Sequence, residues 1–357
     1  MIMNQTSNES NEQPLAPLMA ELHQRATEQG IPFHASVFDQ SGQAVIQTVW
    51  HFPEQAALGA QRCLPPLDMA EVIAQEHVKR ALEVAASGGH NVLLIGAPGA
   101  GKRFLARMLP SLLTNQDGVP LPLRTPHHTI EYADFVGQPA HPGEMCFAHG
   151  GVLFLRHLPA FAPEILAALT QAVEERSVTM GRETEMTRFP ARFVLVASME
   201  PCPCGFYGDP IRECECTAEA IIAYQLRIKG AVRACFDLYV EVPCLRLDQY
   251  EHSRRTRESS TAIRARVAVA RAIQERRFAG LPIACNVEMR GTEIAQFCEM
   301  DSSAQRLWKA AMQQLHLSIH EGQRLVKLAR TIADLADSQL ILANHVAEAI
   351  QYRPRRP

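Results

Sequence analysis

Residues 91–113 read NVLLIGAPGAGKRFLARMLPSLL. An apolar run, a glycine-rich turn and an amphipathic run follow one another, which predicts strand, loop and helix. Gly96, Ala97, Pro98, Gly99, Ala100, Gly101 and Lys102 fit the pattern G-x-x-x-x-G-K, and only this strand-to-helix setting makes the pattern a phosphate loop. Glycines let the backbone curl until its N–H groups face an anion, and the helix start adds positive dipole. Lys102 would reach the outer phosphates. The next position calls for a Ser or Thr hydroxyl on Mg²⁺; here it is Arg103, whose guanidinium donates but cannot coordinate a cation.

Outward from this stretch, GVLFLR (151–156), RFVLVASM (192–199) and FDLYVEV (236–242) are short and nearly all apolar. Such runs predict strands buried on both faces, hence an α/β fold with a parallel sheet between helices. Residues 69–88 carry helical spacing ahead of Gly88-Gly89. After Arg246 the texture changes to helix periodicity over 258–278, 303–315, 319–337 and 343–352, a helical lid domain. Three units are expected: a short N-terminal segment (1–65), an α/β core (66–245) and the lid (246–357). In the first, 1–13 are polar and expected to be disordered, Pro14–Gly30 holds a short helix, and HASVFDQSGQAVIQTVW suggests a hairpin turning at Gln40–Gly42. Pro65-Pro66 marks the boundary.

Composition narrows the function. Of 357 residues, 47% are hydrophobic and 20% charged, a globular balance, and the net charge of −3 rules out a globally basic nucleic-acid coat. No apolar run is long enough for a membrane helix, and the polar start lacks the features of a secretion signal, so a cytoplasmic protein is expected. Ten cysteines are too sparse for a disulfide scaffold, but Cys202, Cys204, Cys214 and Cys216 lie within fifteen residues as C-x-C, nine residues, C-x-C. Four thiolates match a closed structural zinc site, with four reduced thiols as the alternative. The strand GVLFL should end in two acids, one holding Mg²⁺ and one polarising water. It ends in Arg156-His157.

The stretches AQEHVKRALEVAASGGHNVLLIGAPGAGK, PLRTPHHTI, HPGEMCFAHGGVLFL, FPARFVLVASM, PCPCGFYGDP, RLVKLARTIADL and AEAIQYR carry a family resemblance. From about Pro66 to Arg353 the chain resembles the magnesium-chelatase-like AAA+ ATPases, in the ComM/YifB branch linked to natural transformation. The resemblance implies an AAA+ core, ATP or ADP as cofactor, ring assembly, and a longer N-terminal protease-like domain of which residues 1–65 would be a remnant. It also lets departures be placed. The family's GKT or GKS is GKR at Arg103, and its FLDE is Phe154-Leu155-Arg156-His157. Its sensor-1 asparagine is Glu200, and its arginine finger falls on Cys235, with Arg233 two residues away. The sensor-2 arginine falls on His320, and Arg324 matches a later arginine. The cysteine cluster resembles the family's own insertion after sensor 1.

Scaffold motifs are intact while the groups that handle metal, water and γ-phosphate are changed, so the resemblance implies a fold that has given up hydrolysis. Two expectations compete for the substituted residues: an Arg156–Glu200 ion pair closing the dead metal site, or Arg103 and Arg156 replacing Mg²⁺ so that ATP or ADP binds without metal. Pro126-His127-His128-Thr129 reads as scaffold. The arginines of 253–278 suit a solvated helical face or a subunit contact better than a nucleic-acid backbone, and the terminal RPRRP supports little. The expected function is a regulatory or structural subunit, in a ring with itself or with active homologues. The alternative is an ATP-driven motor on DNA; metal insertion into a porphyrin has no supporting feature in the chain.

Overall fold

The computed structural model describes residues 33–38, 44–50, 67–113, 121–138, 141–182, 185–228, 230–245 and 257–354. The expectations for 1–13, Pro14–Gly30, the turn at Gln40–Gly42, Pro65-Pro66 and the last residues of the basic tail lie outside these residues.

Strands β1 (Phe33–Phe38) and β2 (Ala44–Trp50) pair antiparallel, as the alternating stretch predicts. A single 3-10 turn, Met69–Glu71, follows; Asp68 caps it by accepting from Ala70 N–H and holds the lid by accepting from Ser260 N–H. Ala74 and Gln75 have φ of +55° and +57°, so α1 (Glu76–Gly88) begins at Glu76 and not at Met69. Next come β3 (Val92–Ile95), α2 (Lys102–Ala106) and α3 (Leu109–Leu112), then β4 (Leu123–Arg124) and α4 (Tyr132–Val136). The two-residue strands β5 (Gly137–Gln138) and β6 (His141–Pro142) lead to α5 (Glu144–Phe147), β7 (Val152–Leu155) and α6 (Pro163–Glu175). The core closes with β8 (Ser177–Arg182), β9 (Glu185–Pro190), β10 (Val194–Met199), α7 (Ala218–Gln225), α8 (Gly230–Ala234) and β11 (Leu238–Glu241).

Five of these strands form one parallel sheet in the order β11-β3-β10-β7-β4. Alternation along each strand sorts side chains to its two faces. Leu94, Phe154, Val196 and Val240 join α1 and the lid on one side, while Leu93, Leu153, Leu155 and Ala197 join α4, α5 and α6 on the other. Both faces are covered, which is why the strands carry almost no polar residues. Beside this sheet stands a second one, β1-β2-β9-β8, in which β2 runs parallel to β9 (Val49 opposite Arg188). The N-terminal strands are therefore paired to a hairpin that emerges from the core.

The lid comprises α9 (Ser260–Arg277), α10 (Gly291–Phe297), α11 (Ser302–Gln314), α12 (Ile319–Leu335) and α13 (Ala343–Gln351). Ser259, Asp301 and Ser318 cap α9, α11 and α12 through side-chain oxygens, and Ser318 with Glu321 completes a capping box. Ile263, Val267, Leu325, Ile332 and Val346 belong to the same apolar cluster as Leu82 and Val92 of the core. Four arginines of α9 are engaged: Arg264 donates to Ser111 O, Arg271 to Ala86 O, and Arg266 and Arg277 pair with Glu83 and Asp334, while Arg276 stays exposed. Arg264, Arg266 and Arg271 thus reach across the seam between lid and core, and Arg277 acts within the lid.

Candidate nucleotide and metal sites

The sheet order reverses at β3, whose neighbours lead to elements on opposite sides, and ligands of open α/β sheets bind outside the strand C-termini at such a point. The phosphate loop sits there. A Cβ at Gly96 would come within 2.2 Å of Val242 O, so this position admits no side chain. Gly99 and Gly101 have φ of +86° and +90°, a backbone open to glycine. Gln75 braces the loop from outside by donating to Ala100 O (3.2 Å) and Pro243 O (3.0 Å).

Lys102 opens α2, with only 8% of its surface exposed. Its Nζ donates to Gly96 O (2.6 Å) and Ala97 O (3.0 Å) and lies 3.3 Å from Glu200 Oε1. Glu200 follows β10, and its other oxygen, Oε2, is 3.1 Å from His157 Nδ1. Burial would raise the Glu200 carboxyl, but the His157 hydrogen bond and the Lys102 charge outweigh it and hold it below its ordinary value.

The expected Arg156–Glu200 ion pair is not formed: Lys102 and His157 take both oxygens of Glu200. Register explains this. The last registered pair of β7 and β10 is Leu155 with Ala197, so Arg156 is one residue past it and Glu200 three. His157 then adopts φ +54°, and this turn brings its ring to Glu200. Burial and the charges of His127, His157 and Arg156 hold His128 below its ordinary value. The side chains of Arg156 and of exposed Arg103 make no hydrogen bond or ion pair with the described residues. His127 and His128 pack with ring centroids 4.2 Å apart and join no metal-competent cluster among the described residues, in keeping with a scaffold role.

The other departures lie away from the loop's lysine. Cys235 is buried, its thiol pushed up to about 11 by burial, and Arg233 donates to Gln225 O (2.9 Å). Arg324 donates to Ala234 O (2.8 Å) and Phe236 O (3.3 Å), clasping the turn that contains Cys235, and His320 is exposed. None of the four lines the cavity beside the phosphate loop.

That cavity measures about 530 Å³, within the range of small-molecule sites. Pro98 to Gly101 and Phe104 form one side, Val72, Ile73 and Gln75 a second, and Phe206, Asp209, Ile211 and Arg212 a third. The third wall is the loop between the two cysteine pairs, a contribution not anticipated above. The signal was the position of the cysteines, directly after the strand neighbouring β3. Asp209 Oδ1 accepts from Ile211 N–H (2.8 Å) and Arg212 N–H (2.9 Å), and the Arg212 guanidinium stands 5.2 Å over the Phe206 ring. Apolar surfaces from Val72, Ile73 and Phe206 suit a planar base, and Arg103 and Arg212 put positive charge near the loop.

Cys202, Cys204, Cys214 and Cys216 come together, their sulfurs all within 4.8 Å of one another. Sγ of Cys202 is 3.4 Å from that of Cys204 and 3.7 Å from that of Cys214, and Cys204 to Cys214 is 3.6 Å. A tetrahedron with Zn–S bonds of about 2.3 Å has edges near 3.8 Å, whereas a disulfide needs about 2.05 Å. Backbone N–H groups point at the sulfurs: Gly205 and Tyr207 toward Cys202 Sγ, Cys204 toward Cys216 Sγ. The Phe206 N–H beside it draws the Cys204 thiol down to about 6, against desolvation. Donor set, spacing and N–H···S bonds fit Zn²⁺ held by four protein ligands, which leaves no open position for catalysis.

Comparison with known proteins bears on the same surfaces. Residues 68–120 and 115–250 match the family model for magnesium chelatase, subunit ChlI, and residues 257–353 match that for the C-terminal part of the same subunit. The chain is 38% identical over 311 residues to the uncharacterised protein YifB of Escherichia coli, covering 80% of this chain and 60% of that one. It is 34% identical over 311 residues, with the same coverage, to the competence protein ComM of Haemophilus influenzae. An uncharacterised protein of Mycobacterium bovis is 32% identical over 312 residues, 80% of this chain and 61% of its own length. The chain thus spans about three-fifths of the length of these relatives.

Proposed function

Because the chain belongs to the magnesium chelatase ChlI family of AAA+ proteins, with YifB and ComM among its relatives, we propose that it binds ADP or ATP in the cavity beside the phosphate loop and hydrolyses it poorly or not at all. One observation carries this reading. β7 is followed by Arg156 and His157, and Glu200, which follows β10, is engaged with Lys102 and His157. Mg²⁺ coordination needs oxygen ligands, and neither Arg103 nor Arg156 has one to offer in its side chain. The two guanidiniums would instead neutralise phosphate directly. Such a chain acts as a regulatory or structural subunit, in a cytoplasmic ring with its own copies or with active homologues. The cysteine cluster holds a structural Zn²⁺.

Phosphate release by the purified chain, with and without DNA, tests the reading. Turnover near background is expected, rising in the variant carrying Arg103→Thr, Arg156→Asp and His157→Glu. Brisk release by the native chain overturns it. Stimulation of that release by DNA would support the second reading, a DNA-remodelling motor, which the name of the competence protein ComM favours.

A further inference from the structure

Lys102 has three N–H donors; two go to Gly96 O and Ala97 O, and the ammonium forms an ion pair with Glu200 Oε1 at 3.3 Å. Glu200 is held in turn by His157, and its side chain is only 14% exposed. The lysine of a phosphate loop serves the outer phosphates, whereas the curled backbone N–H groups cradle the inner ones. An anion already sits at the position that an outer phosphate needs.

We infer that Glu200 stands in for a terminal phosphate on Lys102, so that the pocket selects a nucleoside diphosphate over the corresponding triphosphate. This rests on the nucleotide-binding reading above and names its ligand class. The two phosphates of a diphosphate can use the backbone N–H groups of Gly99, Gly101 and Lys102 and the free guanidiniums of Arg103 and Arg156. A third phosphate must displace the Glu200 carboxylate from Lys102 or lie against it. Displacement breaks the ion pair and the contact with His157 together; lying alongside sets like charges at close range. Neither penalty falls on the diphosphate.

Isothermal titration calorimetry on the full chain, with ADP and ATP in chelator-containing buffer, tests the inference. The native chain is expected to bind ADP at least tenfold more tightly than ATP. Glu200→Gln, which keeps the shape and removes the charge, should bring the ratio to about threefold or less by tightening ATP. The native ratio needs no variant, so it remains decisive if Glu200→Gln fails to fold. Equal native affinities, or a ratio that survives in Glu200→Gln, overturn the inference and leave nucleotide binding standing. Failure of the native chain and the variant to bind either nucleotide overturns both. Repeating the ATP titration with Mg²⁺ separates one more outcome. If Mg²⁺ tightens ATP more than tenfold in the native chain but not in Glu200→Gln, the carboxylate is a cation ligand, and the inference falls.

Discussion

Asp237 precedes β11 and is enclosed between core and lid. It accepts from Asn91 N–H (3.0 Å), and His90 Nδ1 lies 3.7 Å away, too far for a hydrogen bond but close enough for charge to matter. Burial pushes its carboxyl up, yet His90 and the Asn91 N–H prevail and hold it below its ordinary value. A carboxyl whose folded value is depressed stabilises the fold fully above its unfolded value, near pH 4, and loses that contribution as pH falls through the folded value. Asp237→Asn should therefore cost about 1–2 kcal/mol at pH 7 and flatten the acid limb of stability in urea titrations between pH 7 and pH 3. An unchanged acid limb would remove Asp237 from the account. At this scale sequence reading succeeds where chemistry is local. That Arg103 cannot ligate a cation follows from its side chain alone. The partner of Glu200 was not legible, because it depends on how far two strands run past their last pair and on the backbone turn at His157.

Secondary-structure elements were legible in proportion to how completely they are buried. β3, β7, β10 and β11 announce themselves as apolar runs, and α9, α11, α12 and α13 fall within two residues of their expected bounds. The hairpin β8–β9 was passed over, since SVTMGR and EMTRFP mix polar and apolar residues. β4, only two residues long, is too short to carry a pattern. The cysteine loop joins element to site. A Cβ at Gly205 would meet the Pro98 ring of the phosphate loop at 2.6 Å, and Phe206 between the cysteine pairs lines the cavity. Loss of the metal should loosen that wall. Metal analysis is expected to find one zinc per chain, and Cys214→Ser to abolish it, lower the thermal midpoint by several degrees and weaken ADP binding by fivefold or more. A zinc-free native protein, or a Cys214→Ser variant that binds ADP normally, would separate the cluster from the cavity.

Across the whole molecule, core and lid share apolar packing, and a buried charge cluster inside the lid reaches the core through a hydrogen bond. Asp334 on α12, 1% exposed, accepts from Arg277 Nη1 (2.8 Å), Arg330 Nε (3.0 Å) and Asn286 Nδ2 (2.8 Å). Asn286 also reaches Thr331, which in turn meets His90 of the core (2.8 Å). Removing one member of a buried ion cluster strands the others. Asp334→Ala should thus cost about 3–5 kcal/mol in urea unfolding, whereas combining Asp334→Leu with Arg277→Leu and Arg330→Met should regain most of it. Equal losses in both variants would mean that shape and not charge governs the site. The two-part plan of sheet and helices could be read from the change of texture after Arg246. The inward use of the α9 arginines could not, since a run of basic residues looks alike whether it faces water or a neighbouring helix. The shared apolar mass and the clasp of Arg324 on the turn at Cys235 have a mechanical corollary. Swinging the helical part as a hinged flap would open greasy surface and break the hydrogen bonds that cross to the core at once. Any motion that nucleotide provokes would therefore be cheaper as a movement of core and lid together, as one solid body.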